Sequence, residues 1–204
     1  MRVALVLRSG GEYRPEHAQF LTGQLREQGH EPLILTDMQV PGCDTAPLRY
    51  KWAGWWSCMN IFEPSVKGDL LYMDLDTRLT GDISDIAARR TLTMLDDFYK
   101  PGRLQFGVMY LPEWTRNETW ERFHEQHISV FRGPGEFMHS IWKDRAKTWQ
   151  AVLPGQIVSY KCHVMLDSTK RNHVGNGFVP ENARVCCFHG KPRPWMVPPL
   201  RFAA

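Results

Sequence analysis

The 204-residue sequence predicts an α/β domain built on a central mixed, mostly parallel sheet flanked by helices. Three stretches carry that expectation. Val3 to Leu7 is an apolar, β-branched run that stops at Arg8-Ser9-Gly10-Gly11; helical spacing follows from Pro15 to Gln28, Gly29 ends it, and Glu31 to Leu35 returns as a strand. This is a βαβ unit. Leu70 to Met73 is a short continuous apolar run, the pattern of a strand covered on both faces, and it ends abruptly in Asp74 and Asp76. Ala183 to Phe188 is a last apolar strand that runs straight into His189-Gly190-Lys191-Pro192-Arg193-Pro194-Trp195. No Pro/Gly/Ser linker or composition break divides the chain, so a single domain over residues 1–204 is expected.

The remaining elements fall between these anchors. Residues 41 to 50 are irregular, and Trp52 to Phe62 reads as a helix dense in aromatics that Pro64 ends, most of its rings being core and one available to stack on a base. Asp82, with Asp85 three residues on, has the form of a helix N-cap with an acid at the third position. Thr91 to Leu95 and Gln105 to Leu111 read as strands. Glu113 to His127 and Glu136 to Trp149 read as helices with Trp120, Phe123, Ile141 and Trp142 facing the core. A strand over 156–163 and a polar, mobile loop over 167–182 precede the last strand.

Bulk properties exclude several function classes. Lys and Arg number 25 against 22 Asp and Glu, a net +3, so no excess of positive charge points to nucleic acid or a membrane surface. No apolar run approaches the roughly 20 residues of a membrane span, and the N-terminal run is too short for a signal-peptide core, so a cytoplasmic location is expected. Five cysteines without CxxC spacing fit reduced thiols.

Chemistry concentrates on two stretches. Side chains on a strand alternate with period 2, so continued extended geometry would point Asp74 and Asp76 the same way, just beyond the carboxyl end of a strand where open α/β sheets collect ligands. Neighbouring carboxylates repel unless a cation lies between them, which suggests a divalent metal. His189 would add an imidazole nitrogen, a donor set suited to Mn²⁺, with Mg²⁺ as competitor. Lys191 and Arg193 are able to hold a phosphate, Gly190 lets backbone approach it, and the prolines stiffen the turn. At the N-terminus, Gly10-Gly11 lets backbone N–H groups approach a nucleotide, with a plain βα turn as the equal alternative.

The segment Leu71-Tyr72-Met73-Asp74-Leu75-Asp76-Thr77 followed by Gly81-Asp82-Ile83 resembles the DxD region of nucleotide-sugar glycosyltransferases with the GT-A (Rossmann-like) fold. Together with Phe188-His189-Gly190-Lys191-Pro192-Arg193-Pro194-Trp195, a compressed form of a distal HxxGxxKPW motif, it is similar to the glycogenin and lipopolysaccharide galactosyltransferase type. Arg8-Ser9-Gly10-Gly11, Gly54-Trp55-Trp56, Asp97-Phe98-Tyr99 and Val158-Ser159-Tyr160-Lys161 further resemble a group of bacterial and phage glycosyltransferase-like proteins. The resemblance implies a metal held by Asp74, Asp76 and His189. It implies a nucleotide-sugar donor, first of all a UDP-sugar, contacted by Arg8, Ser9, Gly10, Asp74, Lys161, Gly190 and Lys191. Asp97 and Glu136 would be the catalytic acids, and a glycan, lipid or protein hydroxyl the acceptor.

Two positions depart from the pattern. Cys58 stands where relatives commonly carry a lysine for the donor phosphates, and Gly133-Pro134-Gly135-Glu136 replaces a Gly-Asp-Gln that faces the sugar. These departures leave open a nucleotide-sugar or glycan-binding module that has lost turnover. A haloacid-dehalogenase phosphatase, whose DxD sits on the first strand with Thr or Val two residues after the second Asp, fits poorly with a central motif and Arg78 at that position.

Overall fold

The structure, a computed structural model, describes residues 1–170 and 172–203; Arg171, inside the loop expected over 167–182, and Ala204 lie outside the described residues. In chain order the elements are β1 (Arg2–Leu7), α1 (Pro15–Glu27), β2 (Glu31–Thr36), β3 (Thr45–Pro47), a 3-10 helix (Gly54–Phe62), β4 (Leu70–Met73), β5 (Thr77–Leu79) and α2 (Ser84–Ala87). Then come β6 (Thr93–Asp96), β7 (Leu104–Leu111), α3 (Glu113–Arg122), α4 (His127–Val130), α5 (Pro134–Trp142), β8 (Lys147–Thr148) and α6 (Trp149–Val152). The last elements are β9 (Ile157–Ser159), a π-helical turn (Tyr160–Val164), β10 (Val185–Cys187) and a 3-10 turn (Pro194–Met196).

Seven strands form the main sheet in the order β3-β2-β1-β4-β7-β6-β8. Strand β7 runs antiparallel to both neighbours, and every other pair is parallel, as the mixed, mostly parallel sheet expected from sequence requires. Period-2 alternation divides the core into two layers. Val3, Leu5, Leu7, Leu71 and Met73 face α1 and Trp149, whereas Ala4, Leu70 and Tyr72 face Met59, Phe62, Phe137 and Trp142. Strand β4 is buried on both faces because each of its four side chains enters one of these layers.

A second sheet of three strands, β5-β10-β9, decides where the site forms. Strand β5 begins immediately after Asp76, β10 ends two residues before His189, and their antiparallel register sets Thr77 opposite Cys187. The Phe188 N–H donates to the Asp76 carbonyl at 3.1 Å. The two informative stretches of the sequence are therefore adjacent backbone.

Several element boundaries differ from the sequence expectation. The aromatic helix is 3-10 rather than α, and the expected helix over 113–127 breaks at Phe123, whose extended backbone lets its ring pack on Trp52, Trp56 and Phe137. The second expected helix starts earlier, with Pro134 in its first turn, and stops at Trp142; Trp149 begins α6, buries its ring and donates to the Val108 carbonyl at 2.9 Å. The strand expected over 156–163 ends at Ser159 and turns into the π-helical turn. Asp82 does not cap α2 directly: its Oδ1 accepts from the N–H and hydroxyl of Ser84, one residue past the cap position at Ile83. Strands β3, β5 and β8, at two or three residues each, carry too little periodicity to be read in advance.

Candidate functional site

A cleft of about 860 Å³ opens at the carboxyl ends of β1 and β4. Its walls include Arg8, Ser9, Gly10, Glu12 and Tyr13 from the βα turn, Trp55 and Cys58 from the 3-10 helix, and Tyr72, Asp74, Asp76, Gln105, His189, Gly190 and Arg193. Sheet topology places it there: parallel strands β1 and β4 end together, and the second sheet delivers the 189–193 segment to the same edge.

Asp74 continues the β4–β7 pairing, its N–H donating to the Gly107 carbonyl at 2.7 Å, while the Tyr72 hydroxyl donates to its Oδ1. Extended geometry stops there. The Thr77 N–H donates to the Asp74 carbonyl, a tight turn that carries both acids into the cleft by a route other than strand alternation. Burial, with Asp76 adding repulsion, pushes the Asp74 carboxyl up to about 7. Asp76 Oδ2 is taken by two partners: the Gly190 N–H at 3.3 Å and the Arg193 guanidinium.

His189 sits at a backbone φ of 50°, a left-handed conformation unusual for a residue with a side chain. Its carbonyl accepts from Lys161 Nζ at 2.9 Å, and its Nδ1 lies 3.3 Å from the Gln105 amide nitrogen. Its Nε2 is buried without a protein partner, and burial lowers the imidazole to about 4, so the ring is neutral at physiological pH. Gly107 lies beside both groups: a Cβ built on it would stand 3.6 Å from Asp74 Oδ2 and from His189 Cε1, ordinary contact distance.

Arg193 crosses the cleft. Its Nε and one terminal nitrogen donate to Glu12 Oε1, its other terminal nitrogen donates to Asp76, and its guanidinium lies 4.9 Å from the centre of the Tyr13 ring. Trp195, two residues on, stacks on His17 of α1 at 3.5 Å between ring centres. The hydrogen bond from Arg193 holds the Glu12 carboxyl below its usual range.

Of the residues singled out in the sequence, Arg8, Ser9, Gly10, Asp74, Asp76, His189 and Gly190 meet in this cleft. Lys161 stands just behind it, its ammonium spent on the His189 carbonyl, and Lys191 is exposed outside it. The expected trio of Asp74, Asp76 and His189 shares one wall, but among the described residues no three His, Cys, Asp or Glu side chains are arranged to hold a metal ion. Asp76 faces Arg193 instead. Asp97 and Glu136 do not line the cleft: Asp97 Oδ1 accepts the N–H groups of Tyr99 and Lys100, and Glu136 Oε2 accepts the N–H of Arg132. Cys58 lines the cleft with a thiol that burial keeps neutral, so it brings no charge to the position.

Sequence reasoning missed Glu12, Tyr13, Asp37 and Gln105. Asp37, at the end of β2, accepts from the Ser9 N–H and hydroxyl at 2.7 Å each and so fixes the glycine turn. Its place one residue beyond an apolar strand was the available signal. Nothing local marks Glu12 or Gln105, whose roles come from partners 181 and 84 residues away.

No family model and no curated protein matches this sequence. Solved structures do match in fold. The galactosyltransferase LgtC, in complex with donor and acceptor sugar analogues, superimposes with a TM-score of 0.61 at 11% identity, over 96% of this chain and 89% of that one. The bifunctional glycosyltransferase WbbM gives 0.62 at 8% identity, over 96% of this chain and 46% of its own. The glycosyltransferase GlyE of Streptococcus pneumoniae TIGR4 gives 0.53 at 15% identity, over 74% of this chain and 46% of its own. The chain thus has the α/β fold of the GT-A glycosyltransferases, with its cleft at the strand ends.

Proposed function

We propose that this protein transfers a sugar from a nucleotide-diphosphate sugar, in the first place a UDP-sugar, to a hydroxyl on a glycan, lipid or protein, using the whole chain as one catalytic domain. One observation carries the reading: the cleft gathers the glycine turn after β1, the paired acids after β4 and the His189–Arg193 segment, on a fold shared with glycosyltransferases. In the reaction the acceptor oxygen bonds to the anomeric carbon. The bond from that carbon to the β-phosphate oxygen breaks with its electron pair going to the diphosphate, and the hydroxyl proton leaves with it. Charge grows on the diphosphate, so fixed positive groups aimed there lower the barrier.

This chain's residues divide the work. Ser9, held by Asp37, orients the turn against the nucleoside. Arg193 faces the diphosphate, the Gly190 N–H fixes Asp76 behind it, and Lys161 holds the His189 carbonyl so that the turn keeps its shape. Trp55, exposed on the cleft wall, offers a flat apolar face to a base or sugar ring. Mn²⁺ or Mg²⁺ would supply Lewis acidity at the diphosphate, but Asp74, Asp76 and His189 as arranged do not fit such an ion, and no step here runs through one.

A panel of UDP- and GDP-sugars, assayed for transfer and hydrolysis with Mn²⁺ and with EDTA, tests the proposal. Turnover of one donor, lost in Asp74→Asn, supports it. Binding without turnover favours the binding-module reading, which the neutral Cys58 and the placement of Glu136 outside the cleft also favour. Neither binding nor turnover overturns both.

A further inference from the structure

The cleft holds a cation of its own. Two carboxylates, Glu12 and Asp76, approach from opposite sides, and the Arg193 guanidinium lies between them, 14% exposed at its side chain. Resting on the donor reading above, we infer that Arg193 is the permanent counter-charge of this site and takes the place a divalent ion would hold between the second acid and the donor diphosphate.

Three features of the structure support this. First, the second acid is engaged: Asp76 Oδ2 accepts from both Arg193 and the Gly190 N–H, which leaves a metal only Asp74 and the His189 ring. Second, the guanidinium is held in advance rather than swinging free. Its face lies over Tyr13, prolines flank it at 192 and 194, and the Trp195–His17 stack ties the segment to α1. A cation fixed before the donor arrives loses little side-chain entropy on binding. Third, donors remain. A guanidinium carries five N–H bonds. Glu12 and Asp76 engage three of them, the Nε N–H and one on each terminal nitrogen, so one N–H on each terminal nitrogen remains for phosphate oxygens.

The test is calorimetric titration of UDP and the UDP-sugar panel into the full chain, in Mn²⁺ and in EDTA, for the wild type, Arg193→Lys and Arg193→Gln. Wild-type affinities within about twofold of each other in the two buffers are expected, with Arg193→Gln weaker by about tenfold or more in both and Arg193→Lys between them. Melting curves on each variant confirm that it is folded. A second measurement does not depend on the variants: Mn²⁺ alone, followed by its free-ion paramagnetic resonance signal, should remain free in the presence of the wild type. Tight Mn²⁺ binding, an affinity gain of about tenfold with Mn²⁺, or undiminished binding by folded Arg193→Gln would each overturn the inference while leaving the transferase reading intact. No binding of any nucleotide or nucleotide-sugar by the wild type in either buffer would overturn the transferase reading itself, and the inference with it.

Discussion

Arg193 and Asp76, 117 residues apart in sequence, form an ion pair in which both side chains are almost withdrawn from solvent. Removing one partner of such a pair strands the other as an uncompensated charge, here beside Asp74. Arg193→Gln should therefore lower stability by about 3 kcal/mol. Asp76→Asn in the same chain should restore part of the loss, because the stranded charge disappears. Urea unfolding of the two single variants and the double variant checks this; additive losses would contradict it.

Arg116 makes a second prediction, away from the cleft. Its side chain is fully buried on α3 and donates to the carbonyls of Ile61, Val66 and Gly68, tying down the segment that leads into β4. Glu113, at 4.0 Å, is its nearest carboxylate. Arg116→Met keeps the aliphatic stem but orphans three carbonyls, which should cost about 3 kcal/mol in denaturant unfolding. Faster amide exchange over residues 61–69 should accompany the loss.

Gly107 occupies a φ of 110° on β7, where pairing with β6 shifts register. A Cβ there would meet Leu95 Cδ1 at 3.1 Å, tighter than ordinary contact, and would touch Asp74 and His189 at an ordinary 3.6 Å. Gly107→Ala should destabilise by on the order of 1–3 kcal/mol from backbone strain. Urea unfolding measures the loss, and undiminished stability would contradict it.

His163 predicts a pH dependence. Its Nδ1 accepts the Ser159 N–H at 3.0 Å, its ring meets Phe98 edge to face, and burial lowers its pKa from 6.5. A folded value below the unfolded one means that the unfolded chain binds the proton first. The stability is present in full above about pH 6.5 and is lost as pH falls below it. His17, His30 and His189 are shifted the same way, also chiefly by burial. The melting temperature should drop between pH 7 and pH 5, and His163→Gln should flatten part of that slope; an unchanged slope would rule out the assignment.

The parts of the fold legible from sequence were those with continuous local patterns. Val3 to Leu7, Pro15 to Gln28 and Leu70 to Met73 announced themselves because burial on one or both faces forces apolar residues into a regular repeat. Phe123 interrupts one expected helix and Trp149 opens a separate helix where another was expected to end, because filling the core outweighed helix continuity. The two-residue β8 and three-residue β5 exist only because neighbouring strands offer them partners.

In the site the same division holds. The chain's order of residues was enough to single out Asp74, Asp76, His189 and Gly190, since carboxylates after a buried strand and a histidine before a glycine carry their chemistry locally. Which groups face each other was decided by the tertiary structure. The β5–β10 register brings Asp76 against the 188–193 segment, and that contact turns its carboxylate to Arg193 rather than toward Asp74 and His189. The choice between a bound ion and a fixed guanidinium as the neighbour of Asp76 rests on an antiparallel pairing of strands more than a hundred residues apart in sequence, a separation over which local propensity carries no information.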